Sequence, residues 1–214
     1  MKTLILVNGE LYKPDILRSR IRAEEFDLIL GADGGARYAC SLSVHLDAII
    51  GDMDSFSDLE YKSSSKIKLV SYPAEKNETD LELALLYAVE QGADLIVMVG
   101  VMGGRMDMTI ANIMLIAQAN FNQSRIEVWH GEQTGWIIKP PGEDISGYPG
   151  DTVSLIPLDG DVSGIITEGL KYILKDEELT FGFARGLSNL LEKPTATIKL
   201  SKGLLLAVHT PGRA

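Results

Sequence analysis

Two aspartates directly follow a short apolar run in the first half of the chain. The run at 48–50 stops at Gly51, and Asp52 and Asp54 come next, two positions apart. Carboxylates this close repel each other and lose hydration unless a positive charge lies between them. Carboxylate oxygens are the ligands that Mg²⁺ prefers, and Mg²⁺ often bridges to substrate phosphates. The stretch AIIGDMDS therefore indicates a site for a divalent cation and a phosphorylated substrate.

Three more aspartates occupy similar positions. Asp33 follows a strand-like segment at 27–30, Asp80 lies in the first turn of a predicted helix, and Asp107 follows a strand-like segment at 95–101. Ligands of open parallel sheets bind beyond the carboxyl ends of the strands. We therefore expect all these carboxylates at one edge of the sheet.

Residues that suit phosphate lie near the same strand ends. Gly104 and Arg105 precede a predicted helix, so backbone N–H groups, the helix dipole and a guanidinium would face an anion. Gly34 and Gly35 allow the backbone to approach a ligand closely, and Lys76 lies in a neighbouring loop. The segment lacks the GxGxxG spacing of a dinucleotide site.

The same residues also have structural explanations. An aspartate after a strand often caps a helix or a turn, and glycine pairs are commonly turns. Arg105 could simply pair with Asp107. The coincidence of several carboxylates at strand and helix ends favours a functional site.

Alternating strand-like and helix-like segments in the first part of the chain would position these residues. Continuous apolar strands with helices between them are typical of a parallel, Rossmann-like sheet covered on both faces, an α/β fold. The predicted strands are 3–7, 27–30, 47–50, 67–71, 95–101 and 126–129, with a helix-like segment at 36–41 after the second strand.

Two longer helices are predicted in this part. Thr79 and Glu82 fit a capping box at the start of the first, and an apolar face follows at 81, 84, 85 and 88. The second helix has the same spacing on the face that we expect to be buried, formed by Ile110, Ile113, Met114 and Ala117.

The second part of the chain has frequent turn signals and short strand candidates. These are typical of an all-β sandwich or barrel. The predicted strands are 135–139, 152–157, 163–168, 179–181, 196–200 and 204–209, and 140–142 is interpreted as a turn. We therefore expect an α/β domain at 1–131 and an all-β domain at 136–214.

Composition excludes several classes of function. The 214 residues carry a formal net charge of −10, which disfavours a nucleic-acid partner because such a partner needs a basic face. One cysteine excludes an internal disulfide, and three scattered histidines disfavour a zinc site. No apolar run reaches the roughly 18 residues needed to cross a bilayer. We expect no membrane association and a cytoplasmic location.

The ordered motifs of the chain resemble those of the thiamine pyrophosphokinase (thiamine diphosphokinase) family. They span nearly the whole chain: GADGGARYA at 31–39, GDMDS at 51–55, EKNETDLELAL at 75–85, GGRMD at 103–107, TEGLKYIL at 167–174 and SNLL at 188–191. Each motif is modest by itself, and their common order makes the resemblance specific.

The resemblance implies both a fold and a reaction. The family joins an α/β ATP-binding catalytic domain to a β-sandwich domain that binds thiamine. Its members are homodimers with thiamine near the interface between subunits. The reaction moves the diphosphate group of ATP onto the hydroxyl of thiamine, giving thiamine diphosphate and AMP. We therefore expect an ATP-dependent, magnesium-dependent transferase of thiamine diphosphate biosynthesis.

The resemblance also implies roles for particular residues. The magnesium-binding and catalytic cluster would consist of Asp52, Asp54, Asp80 and Asp107. The groups near the ATP phosphates would be Asp33, Gly34, Gly35, Lys76, Gly104 and Arg105. Ser188 and Asn189 match the thiamine-side motif. Either Asp80 or Asp54 would accept the proton of the thiamine hydroxyl.

Two departures from the family pattern concern the site. Met108 stands where the family motif GGRxDH has histidine, which removes a polar group beside the cluster. No tryptophan follows Ser188 and Asn189, although some relatives stack one on the substrate. Trp136 and Tyr172 are the nearest aromatic candidates, and either could belong to the core.

Other functions remain open from the sequence. A related diphosphokinase for another hydroxymethyl heterocycle, such as a pterin, would keep the aspartates and change the contacts in the second domain. A non-catalytic nucleotide- or thiamine-binding module would lack some acidic positions, and none is missing. A dinucleotide oxidoreductase is disfavoured by the absent glycine spacing.

Overall fold

The computed structural model describes residues 1–52, 67–73, 75–121 and 123–213. The chain divides into two compact units, Met1–Gly131 and Glu132–Ala214. Within the described residues, none of the helices has both the length and the apolar character needed to cross a bilayer.

The first unit is built on a parallel sheet, as predicted. Its strands among the described residues are β1 (Lys2–Leu6), β2 (Leu28–Ala32), β3 (Ala48–Gly51), β4 (Lys68–Ser71), β5 (Leu95–Val99) and β6 (Arg125–His130). They lie in the order β6-β5-β1-β2-β3-β4, and every neighbouring pair is parallel. The central strands β1 and β5 are almost wholly buried, which explains why their sequences are continuous apolar runs.

The helices of this unit are α1 (Pro14–Glu24), α2 (Ala39–Leu42), α3 (Asp80–Glu90) and α4 (Met106–Leu115) among the residues that the structure describes. The start of α3 confirms the predicted N-cap, because Thr79 Oγ1 accepts a hydrogen bond of 3.2 Å from Glu82 N. The predicted buried face of α3 is also confirmed, since Leu81, Ala84, Leu85 and Ala88 are buried.

The helix predicted at 36–41 begins earlier and is tighter than expected. Asp33–Tyr38 forms a 3₁₀-helix that leads directly into α2. The reason is a close approach to the first strand: a Cβ on Gly35 would lie 2.1 Å from the carbonyl oxygen of Leu6. Only a glycine allows the chain to turn this closely against β1.

The predicted buried face of α4 is wrong. Its buried residues are Asn112 and Leu115, whereas Ile110 and Met114 are about half exposed. Apolar residues occur on every side of this helix, so their spacing does not identify the inner face. Asn112 decides the orientation, because its Nδ2 donates a buried hydrogen bond of 3.2 Å to the carbonyl oxygen of Val101.

The second unit is built of β-strands, as predicted, and its neighbouring strands pair antiparallel. Those in its described residues are β7 (Gln133–Ile138), β8 (Gly142–Ser146), β9 (Thr152–Pro157), β10 (Val162–Glu168), β11 (Lys175–Leu179), β12 (Asn189–Leu190), β13 (Thr195–Lys199) and β14 (Leu205–Thr210). They lie in the orders β12-β9-β14-β7 and β11-β10-β13-β8. Buried residues of both groups, including Ile138, Leu155, Ile165 and Ile198, form one apolar core.

Three strand assignments in this unit required correction. The predicted turn at 140–142 leads at once into β8, where a Cβ on Gly142 would lie 2.0 Å from the carbonyl oxygen of Ile198. Gly142 is therefore the first residue of β8 and permits its close pairing with β13, instead of belonging only to a turn. β11 lies earlier than the predicted 179–181. Its sequence is mostly charged, which is typical of an edge strand, so an apolar pattern did not identify it. The short strand β12 was not predicted.

Candidate active site

The carboxyl ends of β1, β2 and β3 and the start of α3 surround a cavity of about 320 Å³. Its lining includes the acidic residues Asp33, Asp52, Glu78 and Asp80, together with Lys76, Asn8, Met108 and Asn112. Several predicted site residues are therefore brought to one place. Asn8, Glu78 and Asn112 were not predicted, although Asn8 has the same position after a strand as the aspartates.

Asp33 is the most unusual residue of this cavity. Its backbone adopts a left-handed conformation with φ 41°, which is uncommon for a residue other than glycine. The residue is 9% exposed, and its Oδ1 is buried without a hydrogen-bond partner among the described residues. A buried polar atom without a partner costs about 1–3 kcal/mol. Both the backbone conformation of Asp33 and the unpaired Oδ1 therefore cost free energy in the folded protein.

Asp80 and Lys76 form an ion pair at the same cavity. Lys76 Nζ lies 2.5 Å from Asp80 Oδ1, and the side chains are only 12% and 30% exposed. Asp80 is also the first residue of α3, where the partial positive charge of the helix N-terminus favours a carboxylate. Asp52 follows β3 directly and is half-buried. The cavity therefore combines fixed negative charge with one mostly buried cation.

Arg105 and Asp107 do not line this cavity. They form an exposed pair with each other, with distances of 2.6 Å and 3.1 Å from guanidinium nitrogens to carboxylate oxygens. Hydrogen bonds from the Arg105 side chain and from the backbone N–H of Met108 hold the pKa of Asp107 below its usual value. The side chain that reaches the cavity from this segment is Met108.

The backbone donors predicted to face phosphate are engaged within the protein. Gly103 N donates to Thr109 Oγ1, and Gly104 N donates to Glu10 Oε1, both at 3.2 Å. Glu10 was not predicted to take part in this region. Gly34 lies beside the cavity, since a Cβ there would lie 2.5 Å from the side-chain nitrogen of Asn8.

Asp54, the remaining member of the predicted cluster, lies outside the described residues. Among the residues that are described, no group of three or more His, Cys, Asp or Glu side chains is arranged to hold a metal ion.

Ser188 and Asn189 lie together in the second unit. Ser188 has φ 55°, and its N–H donates to Ser154 Oγ at 3.1 Å. Asn189 is buried, with its side-chain amide bonded to the main chain of Tyr172. Of the two aromatic candidates, Trp136 belongs to the core, with Nε1 donating to the Glu143 carboxylate, whereas Tyr172 is 53% exposed.

Comparison with known proteins identifies the family of the chain. The family profile described as "Thiamin pyrophosphokinase, catalytic domain" matches residues 21–129, and that described as "Thiamin pyrophosphokinase, vitamin B1 binding domain" matches residues 138–205. The chain belongs to the thiamine pyrophosphokinase family. The resemblance predicted from the ordered motifs is confirmed.

Individual thiamine pyrophosphokinases are similar along the whole chain. The Bacillus subtilis enzyme is 31% identical over 216 residues, covering 98% of this chain and 99% of the relative. A crystal structure of thiamine pyrophosphokinase from Bacillus subtilis has a TM-score of 0.85 at 27% identity and covers 99% of each chain. The yeast thiamin pyrophosphokinase structure shares the fold, with a TM-score of 0.79 at 19% identity over 98% of this chain and 86% of that one.

Family membership confirms the predicted type of activity. Thiamine pyrophosphokinases are ATP-dependent transferases that convert thiamine to thiamine diphosphate, so the predictions of a transferase and a kinase are confirmed. It also favours thiamine over the other heterocyclic acceptors that the sequence left open.

Proposed function

We propose that the cavity around Asp33, Asp52 and Asp80 is where this chain binds the triphosphate of ATP and transfers its diphosphate group to the hydroxyl of thiamine. The main support is the buried Asp33 Oδ1, which has no partner among the described residues although three further carboxylates, those of Asp52, Glu78 and Asp80, line the same cavity. Such an arrangement is costly in the free protein and becomes favourable when a cation completes it.

The donor set fits Mg²⁺ as the ion. Carboxylate oxygens are hard ligands, and Mg²⁺ usually takes only one or two of them and completes its octahedron with water and substrate phosphates. Asp33, Asp52 and Asp80 would hold it, with Asp54 and Asp107 assigned to the same cluster by the resemblance. When bound, the ion would withdraw negative charge from the phosphate oxygens.

The chain's own residues orient the reactants and move the proton. Lys76, beside Asp80, supplies a fixed positive charge for the phosphates. The thiamine hydroxyl oxygen forms a bond to the β-phosphorus, and the bond from that phosphorus to the α-phosphate oxygen breaks, so AMP leaves. The hydroxyl proton passes to a carboxylate, either Asp80 or Asp54.

Arg105 and Asp107 have a proposed role on the phosphate side, with Gly34, Gly35 and Gly104 in neighbouring turns. Arg105 is the residue just before α4, and its guanidinium is exposed. A triphosphate competes with Asp107 for this guanidinium, which then releases the Asp107 carboxylate. Replacing Arg105 by alanine should therefore raise the KM for ATP and leave the KM for thiamine nearly unchanged.

The two units have separate proposed roles. Residues 1–131 bind ATP, and residues 136–214 bind thiamine through the region of Ser188 and Asn189. This division is supported by the descriptions of the two matching family profiles.

By resemblance we also propose a homodimer, and the single cysteine of the chain suits a cytoplasmic location. Sedimentation velocity tests the dimer, because a monomer at micromolar concentration contradicts it. Fractionation of cells that express the tagged chain tests the location.

The reaction itself is tested by incubating the chain with ATP, Mg²⁺ and thiamine and by quantifying nucleotides and thiamine esters chromatographically. We expect AMP and thiamine diphosphate in equal amounts, and no AMP without thiamine. Asp80→Asn should lower turnover at least about 100-fold, whereas the exposed Asp159→Asn serves as a control that keeps normal turnover. Formation of ADP, or of AMP without thiamine, contradicts the proposal.

A further inference from the structure

Glu10 joins two loops that follow neighbouring strands of the parallel sheet. Beyond the ends of β1 and β5, Gly9 N donates to the carbonyl oxygen of Gly100 and Glu10 N donates to that of Met102, both at 2.7 Å. The side chain of Glu10 reaches one step further, because its Oε1 accepts a hydrogen bond of 3.2 Å from Gly104 N. Glu10 therefore holds the loop 101–105 against the end of β1 with both its backbone and its carboxylate.

The loop is shaped to admit this side chain. A Cβ on Gly103 would lie 2.6 Å from Glu10 Cβ, 2.7 Å from its Cγ and 2.8 Å from its Cδ. Gly103 also has φ 91°, a left-handed conformation that favours glycine. The Glu10 side chain thus lies directly along the loop backbone, and a side chain at position 103 would displace it.

The same loop is also tied to the helix that follows it. Thr109 Oγ1 accepts a bond from Gly103 N and donates one to the carbonyl oxygen of Arg105, both at 3.2 Å. The Arg105 side chain itself is 73% exposed and pairs with the equally accessible Asp107. Few contacts therefore restrain the guanidinium, and its position depends on how the loop backbone is held.

We propose that Glu10 is a positioning residue, and that by fixing the loop 101–105 it sets where the Arg105 guanidinium meets the phosphates of ATP. The inference deepens the proposed function and rests on it, because the contact between Arg105 and phosphate belongs to that function. Guanidinium groups bind phosphate through hydrogen bonds of fixed direction, so a displaced backbone weakens them. Glu10 acts through the length and the accepting oxygen of its side chain, without touching the nucleotide.

Two substitutions of Glu10 separate the accepting oxygen from the charge. Glu10→Asp keeps the charge but is one methylene too short to reach Gly104 N. Glu10→Gln keeps the length and the accepting oxygen but loses the charge. We expect Glu10→Asp to raise the Kd for ATP with Mg²⁺, measured by isothermal titration calorimetry, about threefold to tenfold, and Glu10→Gln to stay close to the wild type. The KM for ATP should follow the Kd, and the KM for thiamine should not change.

A double variant tests whether the effect passes through Arg105. Glu10→Asp combined with Arg105→Ala should bind ATP no more weakly than Arg105→Ala alone, because both changes remove the same contact. The matched control is Glu90→Ala, which removes an exposed carboxylate from the last residue of α3 in the same unit and should bind ATP normally. Circular dichroism confirms the fold of each variant, and Glu10→Ala replaces Glu10→Asp if the latter does not fold.

The outcomes separate this inference from the proposed function. A wild type that binds ATP but makes no AMP with thiamine contradicts the function, and the Kd values still decide the role of Glu10. Unchanged binding in Glu10→Asp, or equal losses in Glu10→Asp and Glu10→Gln, overturns the positioning role. Tighter binding in Glu10→Gln shows that the carboxylate repels the phosphates, which also overturns it. Losses that multiply in the double variant show that Glu10 does not act through Arg105.

Discussion

Asp33 and Asp80 approach the same point in space, above Gly51 at the end of β3. The position that a Cβ on Gly51 would occupy lies 3.0 Å from Asp33 Cβ and 3.3 Å from Asp80 Oδ1. Two carboxylate residues separated by more than forty positions of sequence are therefore neighbours because the residue between them has no side chain. This relationship makes Gly51, the glycine of the GDMDS motif, part of the site.

Gly51→Ala should impair catalysis more than stability. The added methyl group displaces Asp33 or Asp80 by a few tenths of an ångström, and such crowding typically costs about 1–3 kcal/mol. We expect turnover to fall at least about tenfold, measured as AMP release at saturating ATP and thiamine. Gly135→Ala is the control, because its Cβ would meet its nearest atom at 3.7 Å, an ordinary contact. Normal turnover in Gly51→Ala would show that the two carboxylates need not be held in this relation.

Asp33→Asn should stabilise the protein while removing activity. The substitution replaces a buried carboxylate by a neutral group of the same shape, and asparagine tolerates the left-handed backbone at this position. We expect the free energy of unfolding in urea to rise by about 1 kcal/mol, and AMP formation to fall strongly. A loss of stability would mean that the Asp33 charge supports the fold rather than the reaction.

Lys76→Met should weaken nucleotide binding. It leaves Asp80 without the ammonium group that lies 2.5 Å away and removes a positive charge from the cavity. We expect the Kd for ATP and Mg²⁺, measured by isothermal titration calorimetry, to rise about tenfold or more. Lys76→Arg keeps the charge with a different shape and should fall between this variant and the wild type. Equal affinities in all three proteins would exclude a phosphate contact for Lys76.

Asp151 provides a pH-dependent contribution to stability in the second unit. Burial by itself raises the pKa of this carboxyl group, but hydrogen bonds from Gly212 N, Tyr148 N and the His209 ring outweigh burial and leave the pKa below its usual value of 3.8. A group whose pKa is lowered by folding stabilises the folded state above its unfolded pKa, and this stabilisation is lost as the pH falls.

Asp151→Asn should therefore reduce the free energy of unfolding at pH values above about 5 and much less at about pH 2. The difference between wild type and variant, obtained from urea unfolding at several pH values, should shrink steadily over this range. A difference that stays constant with pH would show that the folded protein does not depend on the ionised carboxylate.

The fold was largely predictable because its strands are determined by local patterns. The central strands β1 and β5 are continuous apolar runs, and burial on both faces requires that composition. The start of α3 followed from Thr79, whose hydroxyl caps a helix through neighbouring residues only. In contrast, the inner face of α4 depended on Asn112 bonding the carbonyl oxygen of Val101 from another segment, and spacing along one helix does not contain that contact.

The candidate site was predictable as a set of residue types, and less so as a set of contacts. Asp33, Asp52 and Asp80 line one cavity because they follow neighbouring elements at the same edge of the sheet. Nothing in their spacing indicates that Arg105 pairs with Asp107 outside that cavity, or that Glu10 takes the N–H of Gly104. Those outcomes depend on which side chains reach a given donor in three dimensions.

By itself, the sequence determined the family, most of the strands and helices along the chain, and the carboxylates that follow them, because hydrophobic periodicity, capping and ordered motifs are properties of neighbouring residues. Only the tertiary structure decided that Asp33 Oδ1 is buried without a partner among the described residues, and that Asn189 bonds Tyr172. Burial and hydrogen bonding between distant segments depend on how the elements pack, and packing is a property of the whole folded chain.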